Sequence, residues 1–305
     1  MRKSIGMVHF DFPKKMPFIK MHGCGNDYVF VDAMAWSTKE SGTFDYAAVA
    51  RQVSDRHRSI GGDGLVVMLA SDRSDADARM RMFNADGSEG TLCGNALRCM
   101  AMWLHQSGRC GTRCRIAMHE RLVDADVLSS EPDSKRASVR VVIGAPVVVS
   151  PAATGLQRYL RHVTLQDVLL HGEPLQLMAV MMGNSHAIIQ VNDLKAVPFD
   201  TIGPLVEQHP EFPHRTNVEF VQVTGASSAI VRVWERGSGE TQACGSGACA
   251  TAVMGLATGL FQANHPVQIR MTGGDLIVRL SGDHVVSLEG PAEVSCRGEV
   301  QLVLP

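Results

Sequence analysis

Two stretches of this chain set a cysteine, a glycine and a small polar residue directly ahead of a helical pattern. Cys93-Gly94-Asn95 leads into residues 96–106, and Cys244-Gly245-Ser246 leads into residues 247–258, closed by Gly259. A helix N-terminus carries partial positive charge and unpaired backbone N–H groups. A thiol placed there is expected to have a lowered pKa and more thiolate at neutral pH than an ordinary cysteine. The glycine lets backbone N–H groups approach and hold an anion such as a carboxylate. Two such thiols, one from each half of a chain, suit a reaction that needs a base on one side of a substrate and an acid on the other. Inversion of a stereocentre bearing an acidic C–H is that reaction: one thiolate takes the proton and the other thiol returns one to the opposite face.

The elements around these stretches repeat. Gly25-Asn26 precedes an apolar strand, and Gly183-Asn184-Ser185-His186 precedes Ala187-Ile188-Ile189 at an offset of 158. Glu89 to Gly94 and Glu240 to Gly245 each run into a helix, at an offset of 151. Two matches in the same order at nearly the same offset, half the chain length, indicate a duplicated domain rather than a solenoid. Between them the pattern reads strand, Gly-rich turn, strand over 18–31, a helix over 45–54, strands over 65–69 and 79–84, and further strands over 139–149, 175–181 and 187–191. Residues 129–138 and 150–156 read as loops near a domain junction.

The 305 residues allow two domains of similar size. With 29 Lys plus Arg against 31 Asp plus Glu, the formal charge is −2, which excludes a binder of nucleic acid that relies on a basic surface. No apolar run reaches the roughly 18 residues of a membrane helix. The eight cysteines, in a long chain without a secretory leader, read as thiols of a reducing cytoplasm rather than a disulfide framework. Residues 1–16 read as a basic extension, loosely attached, with Met16 an alternative start. Cys99, Cys249 and Cys296 read as inert, buried small hydrophobes, and Cys24 sits in a Gly loop. His105, Cys110, Cys114 and His119 have ligand types for zinc, but Arg109, Arg113 and Arg115 among them oppose a cation; an exposed turn with spare thiols is the expectation.

Several longer segments carry a resemblance. Residues 84–95 (NADGSEGTLCGN), 235–247 (ERGSGETQACGSG), 20–27 (KMHGCGND), 183–186 (GNSH) and 215–220 (RTNVEF) are similar to the diaminopimelate epimerase family, over a span from about residue 17 to the C-terminus. The resemblance implies an α/β (α+β) protein of two similar domains, each a small β-barrel around a central helix, with the site in the cleft between them. The division is residues 17–140, joined by 291–305, for the first domain and 141–290 for the second. It implies metal-free, pyridoxal-phosphate-free epimerisation, with no cofactor, by Cys93 and Cys244 as the acid–base pair. His186 and Glu235 would tune the thiols. Asn26, Asn84, Asn184 and Asn217 would hydrogen-bond the substrate together with Glu235, and Arg236 would take its distal carboxylate. Backbone groups of Gly94, Asn95, Gly245 and Ser246 would hold the α-carboxylate. The expected partner is a small amino acid, LL-diaminopimelate first, with a relative acting on histidine or proline-type substrates as the alternative. A homodimer is left open. Beside these stand plainer readings: a strand-end structural histidine for His186, a surface ion pair for Glu235-Arg236, and a thiol-redox or zinc-binding protein on the same fold.

Overall fold

Strand β1 (Met16–Gly23) and strand β2 (Asn26–Asp32) form a hairpin whose register puts Gly23 opposite Asn26. The two connecting residues, Cys24 (φ 53°) and Gly25 (φ 84°), are both left-handed, as a tight hairpin turn matched to strand twist requires. The computed structural model describes residues 15–36, 44–90, 93–119, 121–130 and 134–303. Helix α1 (Tyr46–Ser54) buries Tyr46, Val49, Ala50 and Val53, one stripe at helical spacing, and its N-terminal N–H of Ala48 is capped by Asp45 at 2.9 Å.

The strands then build two barrel-like rings in the same order, the first of them closed by pairing. From β1 the pairing runs to β2, β3 (Gly64–Leu69), β4 (Ala78–Asn84), β6 (Arg113–Met118), β7 (Arg121–Ser130) and β8 (Arg136–Gly144). The last strand of the chain, β17 (Val286–Val300), pairs with both β8 and β1 and closes this ring at eight strands. In the second half β9 (Leu160–Leu170) pairs with β10 (Glu173–Met181), and the order continues through β11 (Ser185–Gln190), β12 (Asn217–Gly225), β13 (Ser228–Glu235), β15 (Val267–Met271) and β16 (Gly274–Leu280) to β17 again. The two parallel pairs fall at equivalent places, β2–β3 and β4–β6 in the first ring, β11–β12 and β13–β15 in the second. Short strands β5 (Glu89–Gly90) and β14 (Gly239–Glu240) hairpin onto β4 and β13 just ahead of the two cysteines.

Each ring holds one helix: α2 (Gly94–Gln106) and α4 (Gly245–Thr258). Helix α4 is built of Gly, Ala, Ser, Thr, Cys, Val, Leu and Met alone and is buried on nearly every side, as a helix inside a barrel must be. One apolar core runs through both rings and includes Met100, Leu104, Cys249, Val253 and Leu288. Smaller cores lie outside the barrels, under α1 in the first half and under α3 (Phe199–Glu207) in the second.

The expected fold class is thus found, and the expected elements with it, to within a few residues. Three local differences have plain causes. Residues 129–130 and 136–138 are strand, since β7 extends to Ser130 and β8 starts at Arg136; the connection between them lies partly outside the described residues. The strand expected over 139–149 stops at Gly144, whose φ of 107° ends the ladder. Helix α3 was not expected, because Pro198, Gly203 and Pro204 break its pattern. Gly203 is needed there, since a Cβ would lie 2.9 Å from the Trp234 ring. Residues 1–14 lie outside the described residues, but Met16 is fully buried and pairs with Val300, so the fold begins at the last residue of the expected extension. No helix among the described residues is long and apolar enough to cross a membrane.

Candidate active site

Cys93 and Cys244 are the N-cap residues of α2 and α4, both in extended backbone. Each sulfur accepts the N–H three residues on, from Ala96 and from Gly247, both at 3.4 Å. The two helix starts meet at one side chain. A Cβ on Gly94 would lie 3.2 Å from Leu288 Cδ2, and a Cβ on Gly245 would lie 2.9 Å from the same atom. Leu288, on β17, is fully buried and therefore fixes the spacing of the two Cys-Gly steps. Across this junction Asn26 donates from Nδ2 to the Ala243 carbonyl at 2.6 Å and accepts the Ala243 N–H at 3.3 Å. A side chain of the first ring thus clamps the residue just before Cys244.

The surroundings of the two sulfurs differ. Cys93 shares a hydrogen bond with the Tyr28 hydroxyl at 3.3 Å. Cys244 faces carboxylates: Glu235 is hydrogen-bonded to it, and both Glu235 and Glu219 act on it through their charge. His186, Glu219 and Cys244 bring one ligating atom each within 4.8 Å of one another. His186 has Nδ1 at 2.7 Å from Glu219 Oε1 and Nε2 at 2.9 Å from Asn184 Oδ1, and both His186 and Glu219 are fully buried. Ser246 Oγ lies 3.5 Å from the Cys244 sulfur and accepts from Asn184 Nδ2 at 3.4 Å.

Burial overturns the expected sign of the thiol pKa. Loss of solvent, the largest effect at both sulfurs, pushes Cys93 above the ordinary thiol value and Cys244 well above it. The helix N–H groups lower both, as expected, and the Tyr28 hydroxyl helps at Cys93, but they do not win. At Cys244 the two carboxylates add to the rise. Burial likewise lifts the Glu235 carboxyl above its usual range, against a hydrogen bond donated by Thr241.

Of the residues expected to contact a substrate, several are already engaged. Asn26 holds Ala243. Asn95 donates to the same carbonyl at 3.4 Å and accepts from the fully buried Arg98 at 2.7 Å. Asn217 donates to the Ser185 carbonyl and accepts the Arg236 N–H, both at 3.0 Å, so it shapes the loop that carries Glu235 and Arg236. Asn84 is exposed and donates to Ser88 Oγ at 2.9 Å. Arg236 is exposed, with one guanidinium nitrogen on the His214 carbonyl at 3.3 Å. His186 and Glu235, expected to serve the two thiols, both stand at Cys244. The neighbour of Cys93 is Tyr28, which the sequence did not single out. Glu219 was also missed, although it lies in the RTNVEF segment; a charged residue amid Val218, Phe220 and Val221 on a buried strand was the available signal. Thr91 and Leu92, inside the first cysteine motif, lie outside the described residues. The spare thiols expected at Cys110 and Cys114 are instead joined as a disulfide, with Cys114 buried; His105 and His119 face the carbonyls of Gly111 and Gly90. Cys296 is exposed rather than buried, as it lies on the outer run of β17.

The family model described as Diaminopimelate epimerase matches residues 18–149 and 178–295, both rings and both cysteine motifs. The chain belongs to the diaminopimelate epimerase family. A diaminopimelate epimerase of Geobacillus kaustophilus is 40% identical over 286 residues, covering 93% of this chain and 96% of that one. One of Moorella thermoacetica is 40% identical over 293 residues, covering 94% and 100%. Among solved structures, a PhzF-family phenazine biosynthesis protein of Bacillus anthracis superposes with a TM-score of 0.68 at 16% identity, covering 95% of this chain and 100% of that chain. A hydroxyproline epimerase of Agrobacterium vitis does so with a TM-score of 0.67 at 14% identity, covering 97% and 95%. At such identities these two speak for the fold alone, whereas the epimerase-family relatives share most of the sequence length.

Proposed function

We propose that this chain epimerises LL-diaminopimelate to meso-diaminopimelate with Cys93 and Cys244 as a two-thiol acid–base pair. The observation that carries the reading is the convergence of two N-cap thiols, one from each ring, on the single Leu288 side chain. A substrate α-carbon between them presents one face to each sulfur. Burial raises both thiols, but Cys93 is raised less and its thiolate is favoured by the Tyr28 hydroxyl, so it is the easier of the two to ionise, whereas Glu235 and Glu219 add to the rise at Cys244. The thiolate removes the α-proton as the opposite thiol delivers one, and the pair ends with its protonation reversed. Proton balance is complete within the chain, so no cofactor enters a step.

Unpaired N–H groups at the starts of α2 and α4, from Gly94, Asn95, Gly245 and Ser246, take the α-carboxylate. Arg236 takes the distal carboxylate, with the amides of Asn84 and Asn217 nearby, while Asn26 and Asn184 act by holding Ala243, His186 and Ser246 in place. The compartment is the cytoplasm. The domain division is residues 17–140, joined by 291–305, and 141–290; the run of β8 to Gly144 favours a junction near that point.

A panel of amino acids in deuterated water, read by α-deuterium uptake, tests this. Both LL- and meso-diaminopimelate should exchange, and lysine, which lacks only the distal carboxylate, should exchange little. Arg236→Ala should lose about tenfold of that preference, less than a fully buried pair would cost, since Arg236 is exposed. Lysine or histidine turning over as fast as diaminopimelate would sink the substrate assignment and leave the two-thiol chemistry standing.

A further inference from the structure

The Cys244 side of the cleft holds more negative charge than acid–base exchange at one sulfur requires. Glu219 is fully buried, and its two oxygens have different fates: Oε1 is taken by His186, while Oε2 is buried with no hydrogen-bond partner. An unpartnered carboxylate oxygen in a dry site costs free energy that positioning His186 through Oε1 does not explain. The packing is built to keep it there. Gly247, in the first turn of α4, has no room for a Cβ, which would sit 2.5 Å from Glu219 Oε1.

An imidazole, a carboxylate and a thiol with ligating atoms within 4.8 Å are a donor set for a borderline-soft divalent metal. Zinc bonds of about 2.0–2.3 Å set neighbouring ligand atoms roughly 3.3–3.8 Å apart, so closure needs side-chain shifts of about an ångström. Charge favours it as well. One thiolate and one carboxylate cancel a dication when His186 is neutral, leaving a buried site without net charge. Ser246 Oγ, 3.5 Å from the sulfur, or a water completes four-coordination. Magnesium and calcium, which require oxygen ligands in larger number, do not suit it.

We propose that His186, Glu219 and Cys244 form an inhibitory site for a thiophilic divalent cation of the zinc class. Binding releases the Cys244 proton to solvent and forms a sulfur–metal bond without any change of oxidation state. The metal and the substrate then compete for one sulfur, and the occupied enzyme has a single thiol left.

Cobalt(II) is the probe, added to reduced, metal-stripped protein. One equivalent should bind and give a sulfur-to-cobalt charge-transfer band with the strong visible bands of a tetrahedral site; zinc should displace it. The band should persist in Cys93→Ala and vanish in Cys244→Ala, and Glu219→Gln should weaken binding by about tenfold or more. Should Cys244→Ala fail to fold, retention in Cys93→Ala with loss in His186→Gln decides the point. A wild-type protein that gives no charge-transfer band overturns the proposal, as does a band that survives in Cys244→Ala. Zinc should also suppress deuterium exchange with the same half-saturation, reversibly with a chelator. The cobalt spectrum does not depend on which amino acid is the substrate, so it stands or falls separately from the epimerase reading.

Discussion

The two cysteines occupy equivalent places in the two halves and share their local geometry: extended N-cap backbone, a sulfur accepting the N–H three residues on, a glycine pressed against Leu288. Around that shared frame the halves part. Cys93 meets a neutral phenol, whereas Cys244 meets two carboxylates and a histidine. The helices diverge in the same way: α2 carries a buried Arg98 tied to Asn95 and to the Pro291 carbonyl, and α4 consists almost entirely of small and apolar residues. A duplicated fold thus supplies two thiols in matching positions, and later substitution around them makes one the easier to ionise. The matching positions set one sulfur on each side of a substrate, and the different charge around them decides which of the two ionises more readily.

The sharpest way to break this comparison is to remove each sulfur. Cys93→Ala and Cys244→Ala should each lower the epimerisation rate by about a thousandfold or more, and the double variant should be little worse, because the pair works as a unit. Near-normal inversion by either single variant would end it. A smaller effect separates the halves. In Tyr28→Phe the hydroxyl that favours the Cys93 thiolate is lost, so that thiol's pKa rises and the rising limb of the pH–rate profile moves to higher pH, with a loss of roughly tenfold at neutral pH. Glu235→Gln removes a charge that raises Cys244 and, as a lesser cause, Cys93, so both thiols move the other way and Cys244 the more. Profiles that shift together, or not at all, would show that the two sulfurs are not held differently.

The smallest effect concerns the silent thiols, one in each central helix. Burial pushes Cys99 and Cys249 up to about 12 from an ordinary 9.0. The unfolded chain therefore releases these protons first as pH rises. The stability they contribute is complete below pH 9 and is lost between about 9 and 12, at up to about 1.4 kcal/mol per pH unit for each thiol. Urea midpoints measured at pH 8 and at pH 10 should fall in the wild type, and Cys99→Ala and Cys249→Ala should each flatten that fall. A slope that neither change alters would mean that the alkaline loss arises elsewhere.

How much of this could be read in advance follows the range of the interactions. The Cys-Gly starts, the helices behind them and the duplication are local or periodic, and the chain displays them directly. The sign of the thiol pKa shift depends on how completely two rings exclude water around a sulfur, which no spacing encodes. Asn26 is tied to Ala243, 217 residues on in the other half of the chain, a contact that no local spacing displays. Glu219 was concealed as one polar residue in a buried strand, and Tyr28 as one more aromatic in an apolar run. Helix α3 was hidden by its own prolines and glycine.

Strand β17 serves both rings, and it is the last strand among the described residues. The N-terminal ring, though most of it is encoded first, lacks the partner of β1 and β8 until residues 286–300 have left the ribosome. The first half of the nascent chain must therefore wait with two open sheet edges while the second half is made. Closure of the first ring and assembly of the thiol pair against Leu288 thus depend on the same strand, so a chain lacking it has neither a closed first ring nor a seat for its two cysteines.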